Sequence, residues 1–156
     1  MSGINLNISE ILRQEGAQVI SDIRDSMENN GQWASGQTAS KIRMEYDDDS
    51  LIILAPDYFK TLEKGISPQE ARSTTPRFLR QQIFIWAEKK GGVFSGTRDA
   101  WRFASNTTNK MREEGSMLFR DGGRTDVYSD KVDPLVNRIS DKLANSLLSV
   151  KVLQDE

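Results

Sequence analysis

The sequence predicts an α+β fold in which a small antiparallel sheet packs against long amphipathic helices. Three observations predict it. Two stretches, one from Ile8 to Met27 and one from Leu135 to Val150, repeat apolar residues at helical spacing. Between them, Ala39 to Tyr46 alternates apolar and polar residues, and the turn Asp47-Asp48-Asp49-Ser50 separates it from the apolar run Leu51 to Ala55. Strands confined to one short region among long helices suit a two-layer α+β arrangement.

Each element has a local reason. Ser9 is expected to cap the first helix, with Glu10 in the first turn where negative charge suits the helix dipole. The helix is expected over Ser9 to Glu28. Ile8, Ile11, Leu12, Val19, Ile20, Ile23 and Met27 form one stripe, and Asn29-Asn30-Gly31 stops the helix. Gln32 to Thr38 is small and polar and is expected as a loop. In the first strand Ile42, Met44 and Tyr46 point one way and Lys41, Arg43 and Glu45 the other. A lone hairpin is marginal in water, so the first helix or another strand must cover it.

Pro56-Asp57 opens a short helix, Tyr58 to Lys64, that Gly65 ends. Ile66 to Thr75 contains Pro68 and has no clear period. It is expected as a loop with room for one helical turn at Gln69 to Arg72. Thr75 caps the next helix with Pro76 at its first position, and the helix runs to Lys90. Leu79, Ile83, Trp86 and Ala87 share a face, while Phe78, Phe84 and Ile85 widen the apolar surface. After the Gly91-Gly92 break, Thr97 is expected to cap a helix to Arg112 carrying Ala100, Trp101, Ala104 and Met111. Gly115 breaks it. The polar, glycine-rich stretch Ser116 to Thr125 is expected to be mobile and a candidate for ordering on binding. Val127-Tyr128-Ser129 reads as a short strand. Asp133-Pro134 opens the last helix, with Leu135, Val136, Ile139, Leu143, Leu147 and Val150 in register, and Leu153 to Glu156 is expected to fray. No repeat or linker divides the chain, so residues 1–156 are expected as a single domain.

Composition bounds the chemistry. A chain of 156 residues with 37% hydrophobic side chains builds a core without metal or disulfide. Its 21 basic and 23 acidic residues leave a net charge of -2, which gives no general attraction to nucleic acid or anionic membrane, although a local basic patch stays open. There is no cysteine for disulfide or thiolate chemistry, and no histidine for acid–base work near neutral pH. No apolar run approaches the roughly 20 residues that span a bilayer. The start Met1-Ser2-Gly3-Ile4-Asn5 lacks the basic and apolar regions of a signal peptide. The expected class is a soluble intracellular domain, or a component of a particle assembled inside a cell.

The chemical constellations favour bland readings. Asp47-Asp48-Asp49 offers carboxylates for a hard cation, yet no glycine-anchored loop with a bidentate Glu follows, and Asp is common in turns. Asp121-Gly122-Gly123-Arg124-Thr125-Asp126 faintly resembles a calcium loop but lacks most of its ligand positions. Gly91, Gly92 and Gly96 lack the Lys and Ser or Thr that a phosphate loop needs. Ser67 and Ser73 near Lys64 match no nucleophile–base spacing. The neighbours Glu113 and Glu114 point in different directions on a helix. Arg72, Arg77 and Arg80, with Phe78, Phe84 and Trp86 nearby, form the one local basic patch with aromatics, the pattern that tracks single strands.

The order of segments carries one further signal. A helical arm runs into Trp33-Ala34-Ser35-Gly36-Gln37-Thr38-Ala39-Ser40-Lys41-Ile42. A hairpin follows, then Ala55-Pro56-Asp57-Tyr58-Phe59-Lys60-Thr61-Leu62-Glu63-Lys64-Gly65, and later Lys110-Met111-Arg112-Glu113-Glu114-Gly115. This order resembles the HK97 gp10-like family of tailed-phage proteins, the tail-completion or neck components of the head–tail junction. The resemblance covers most of the chain. It departs from the common pattern in the longer, more polar loop between Gly65 and Pro76 and in the Asp run of the hairpin.

The resemblance implies a structural virion protein without enzyme activity or cofactor, located at the neck or upper tail after assembly in a bacterial cytoplasm. Its implied partners are further copies of itself in a ring, a portal or adaptor ring, and tail proteins, with channel DNA as a further contact and no membrane. Tyr58, Phe59, Arg72, Arg77, Phe84 and Ile85 are the candidate assembly residues. A small nucleic-acid-associated or regulatory binding module is the alternative, and a hydrolase working without histidine stands last.

Overall fold

The computed structural model describes residues 7–32, 36–91 and 93–154. Residues 1–6, the Trp33-Ala34-Ser35 part of the loop, Gly92, the side chains of residues 148–154 (Val150 among them) and the end Asp155-Glu156 lie outside the described residues.

The chain folds as an α+β structure of long helices with one two-stranded antiparallel sheet. Helix α1 spans Ile8–Asn29. Its cap is Asn7, not Ser9: the Asn7 side-chain oxygen accepts from the Glu10 N–H at 3.1 Å, which places Ser9 in the first turn. Leu12, Val19, Ile20, Ile23 and Met27 are buried along its inner face. A short helix α2, Gln37–Ser40, occupies the ground expected as loop and strand start. Gly36, at φ 72°, turns the chain into it, and Ala39 is buried.

Strands β1, Arg43–Tyr46, and β2, Leu51–Leu54, pair with Arg43 opposite Leu54 and Tyr46 opposite Leu51. Helix α1 covers the sheet, as the marginal stability of a lone hairpin requires. Gly16 makes this contact close, because a β-carbon there would lie 2.7 Å from the Met44 sulfur. Arg24 fixes the approach. Its Nε donates to the Ala39 carbonyl at 3.0 Å and an Nη to the Ile42 carbonyl at 3.1 Å. At the hairpin tip the Asp47 carboxylate accepts from the N–H groups of Asp49 and Ser50 and from the Ser50 hydroxyl. Those bonds, the Asp49 N–H first, hold its pKa down at about 2.

A 3-10 turn, Asp57–Lys60, runs into helix α3, Thr61–Lys64. The segment expected as a loop holds helix α4, Pro68–Ser73, set by a reciprocal capping box between Ser67 and Glu70. Helix α5 spans Pro76–Lys90, with Thr75 capping through the Phe78 N–H as expected. Helix α6 spans Thr97–Glu114 and starts from Gly96. Thr97 is its first residue, not its cap, and gives its hydroxyl to the Glu88 carboxylate of α5 at 3.3 Å. Ser116 to Thr125, expected to be mobile, begins with helix α7, Met117–Arg120, capped by the Ser116 hydroxyl. Val127-Tyr128-Ser129 forms no strand: Val127 and Tyr128 lie in a turn that passes at Ser129 into a 3-10 turn, Ser129–Lys131. Helix α8 spans Val132–Gln154.

The core has two centres. Val19, Ile20, Ile23, Met27, Ala39, Ile42, Phe59 and Val127 form the larger, joined by Leu135 of α8. Ala71, Leu79 and Met111 form the smaller, with Ile66 and Ile83 packed on it, between α4, α5 and α6. Two hydrogen bonds tie the segment after α3 to the start of α7: the Ser116 N–H donates to the Ile66 carbonyl at 2.8 Å, and the Ile66 N–H donates to the Ser116 hydroxyl oxygen at 2.9 Å.

Candidate assembly surfaces and the buried carboxylates behind them

Among the described residues two carboxylates are buried, and each closes a long-range contact. Glu63 of α3 is 3% exposed. One of its oxygens accepts from three successive backbone N–H groups, Val127 at 3.1 Å, Tyr128 at 2.7 Å and Ser129 at 2.8 Å. The other accepts from the Ser129 hydroxyl. Its backbone carbonyl also accepts from the Arg124 N–H at 2.8 Å. The residue therefore does for the 124–129 segment what a strand partner would have done, which is why no strand forms there. An open groove of about 620 Å³ borders it, lined in part by Lys64, Phe119 and Arg124. Its polar groups are largely engaged, since Arg124 pairs with Asp126 at 2.6 Å.

Glu15 of α1 is the second. It pairs with Arg138 at 2.6 Å and Lys142 at 2.5 Å, both on α8. Burial alone pushes its pKa up, but the hydrogen bonds from Lys142 and Arg138 outweigh burial and leave it below its ordinary 4.5. A carboxyl with a depressed folded-state pKa adds stability above its unfolded value, and that stability is lost as pH falls through the folded value. The contribution of Glu15 should thus be full above about pH 5 and fade below its ordinary value. Urea midpoints of wild type and Glu15→Gln should differ most near neutrality and converge as the solution is acidified. A difference that stayed constant down to pH 3 would show that the ion pairs do not stabilise the α1–α8 contact.

The six candidate assembly residues are not brought together as one patch. Phe59 is a core residue, 8% exposed, with its ring 5.1 Å from that of Tyr128. Tyr58 beside it is 46% exposed, with its hydroxyl 3.3 Å from that of Thr38. Arg72 donates to the Arg112 carbonyl at 2.7 Å, and Arg112 donates to the carbonyls of Ala71 and Thr74. These two arginines lock α4 onto α6, an internal role. Arg77 is exposed at the start of α5, and Phe84 and Ile85 are half-buried on it.

The larger surface feature was only partly visible in the sequence. Helices α5 and α6 meet through small residues, Ala87, Ala100 and Ala104, all buried. So thin a seam leaves the aromatic side chains on the flanks. On one flank Phe84 meets Trp101 edge-on at 5.0 Å, and the Arg80 guanidinium lies 5.0 Å over the Trp101 ring. On the other, Phe103 lies 6.5 Å from Trp86 and 5.0 Å from Phe94, with the Lys90 ammonium 5.6 Å over Trp86. Trp86, Trp101 and Phe103 all remain substantially exposed. A second set of exposed apolar side chains, Tyr46 and Ile52, lies on the sheet, and a third, Val132, Val136 and Leu147, on α8. Sequence reasoning named Arg80 without a partner and placed Trp101 on one helix with Ala100, Ala104 and Met111. The signal was the spread of Phe78, Phe84 and Ile85 beyond a single helical stripe.

Among the described residues no cluster of three or more metal-ligating side chains is placed to hold an ion, and no helix is long and apolar enough to cross a membrane. Set against protein-family models, curated proteins and solved structures, the chain matches none.

Proposed function

We propose that this protein is a structural subunit of a tailed bacteriophage, a neck or tail-completion component that forms a multi-subunit ring between the portal and the tail. The segment order set out above supports the family. The observation that carries the assembly role is the exposure of large apolar side chains on two separate elements, the α5–α6 hairpin and the β-sheet. A cyclic assembly joins two different patches of the same subunit across each neighbour, so it needs two such faces. An isolated monomer rarely leaves several aromatic residues grouped at its surface.

Immunogold electron microscopy of tailed particles from the source, with antibody against this chain, tests the reading. Label at the single vertex joining head to tail is expected. Intact and disrupted particles that both stay unlabelled would remove it.

One observation favours a second reading, a nucleic-acid-associated module. Arg80 over Trp101 and Lys90 over Trp86 pair cations with exposed rings, the combination on which bases stack. A DNA titration across a salt series decides this. Phosphate contact requires affinity to fall as salt rises, so the absence of binding at low salt would dispose of it.

A further inference from the structure

Charge is sorted by element in this chain. Residues 76–114, which hold α5, α6 and their connector, carry eight Lys and Arg against four Asp and Glu. Two of those four, Glu113 and Glu114, close the far end of α6. Residues 8–54, which hold α1, α2 and the sheet, carry nine Asp and Glu against four Lys and Arg. Among the described residues, none of the eight cations in α5–α6 forms an ion pair. Nor does Glu45, Asp48 or Asp49 of the β-hairpin.

No ion pair within the subunit joins the two sets among the described residues.

We propose that the flank of α5–α6 around Trp101, with Arg77, Arg80 and Arg98, docks onto the β-hairpin of a second copy of this chain, around Ile52, Asp48 and Asp49. Apolar surface meets apolar surface, because Trp101 is 41% exposed and Ile52 is 49% exposed. Guanidinium groups meet carboxylates, a pairing with well-matched geometry. The Arg80 guanidinium lies 5.0 Å over the exposed Trp101 ring, so a cation and an apolar surface are presented together. Asp47 stays behind in the turn it already holds. The contact joins different faces, so it propagates head to tail and closes only if the rotation returns on itself. The inference rests on the ring reading and deepens it by naming the two faces.

The test uses the full chain and two double variants, Asp48→Lys with Asp49→Lys, and Arg77→Glu with Arg98→Glu. All four side chains are exposed, and wild-type thermal midpoints will confirm that the variants fold. Sedimentation velocity across a salt series should show wild-type oligomers that dissociate as salt rises. Each variant alone should associate on the order of a hundredfold more weakly, because like charges then face each other. An equimolar mixture of the two should recover association, since each supplies the charge the other has lost.

A wild type that stays monomeric at every salt concentration would overturn the proposal. So would reversals without effect, or a mixture that stays apart. Loss of duplex-oligonucleotide binding in Arg77→Glu with Arg98→Glu, with self-association intact, would assign the flank to DNA instead. Placement in the particle is a separate outcome. Neck label on a protein indifferent to the charge swap removes this contact and leaves the placement. Salt-sensitive oligomers with no particle label do the reverse.

Discussion

Glu63→Ala is expected to destabilise the fold by about 4 kcal/mol, since it strips three backbone N–H groups and a hydroxyl of a charged acceptor. Each hydrogen bond to a charged group is worth about 1.5 to 3 kcal/mol, and bonds sharing one acceptor are not additive. The adjoining groove lets water reach part of the vacated site, which keeps the total below the simple sum. For a chain of this size about 4 kcal/mol corresponds to a fall of roughly 10 °C in the thermal midpoint. Glu63→Gln keeps one oxygen for the N–H groups but turns a donor toward the Ser129 hydroxyl, so roughly half the loss is expected. Ser129→Ala removes a single bond and should cost about 1 kcal/mol. The order Ala, Gln, then the Ser129 variant is the prediction, read by thermal and urea unfolding. A Glu63→Ala protein with the wild-type midpoint would mean that the 124–129 segment holds itself without the carboxylate.

Glu63 also marks the limit of what was legible in the chain. Helices α1, α5, α6 and α8 and the hairpin were readable because their causes are local: a period of apolar residues, a cap, a proline, a glycine. Val127-Tyr128 was expected as a strand because a β-branched residue beside an aromatic one suits a pleated surface. The partner that satisfies its N–H groups is a side chain 64 residues earlier, and no window along the sequence contains both. The same holds for Ser116 to Thr125. Its glycines look like freedom in isolation, yet Gly123 leaves room for the Glu63 carbonyl, which would lie 2.8 Å from an added β-carbon. Small errors at α1 and α6 came from rival polar residues near the cap, Asn7 against Ser9 and Gly96 against Thr97, where several candidates fit one local rule. For the assembly surface, the sequence showed which residues were apolar or cationic. It did not show that Phe59 and Arg72 are used internally, or that the alanine seam pushes Trp101 outward. Charge sorting was readable from the sequence but hidden by a net charge near zero.

Gly65→Ala is expected to be among the most damaging single-atom additions to this chain. Gly65 sits at φ 70° and ψ -166°, a region that only glycine occupies freely. An added β-carbon would lie 2.4 Å from the Phe119 nitrogen, 2.5 Å from the Ser116 hydroxyl oxygen and 2.9 Å from the Phe119 α-carbon. Two of these are backbone or near-backbone atoms at the start of α7, and the third is the cap that holds α7 and accepts from Ile66. No side-chain rotation relieves the two Phe119 backbone contacts, and turning the Ser116 hydroxyl away would break the cap. Gly91→Ala separates the two costs, because Gly91 also has positive φ, 58°, but nothing within 4 Å of an added carbon. Gly91→Ala should cost about 1 to 2 kcal/mol from the dihedral alone. Gly65→Ala should cost at least about 2 kcal/mol more from overlap that packed backbone does not absorb. The difference between the two variants therefore measures how firmly α7 is seated. If Gly65→Ala matched Gly91→Ala, α7 would be free to swing away from α3. The glycine-rich stretch from Ser116 would then be the movable element that its composition suggests, ordered only when a neighbouring subunit presses on it.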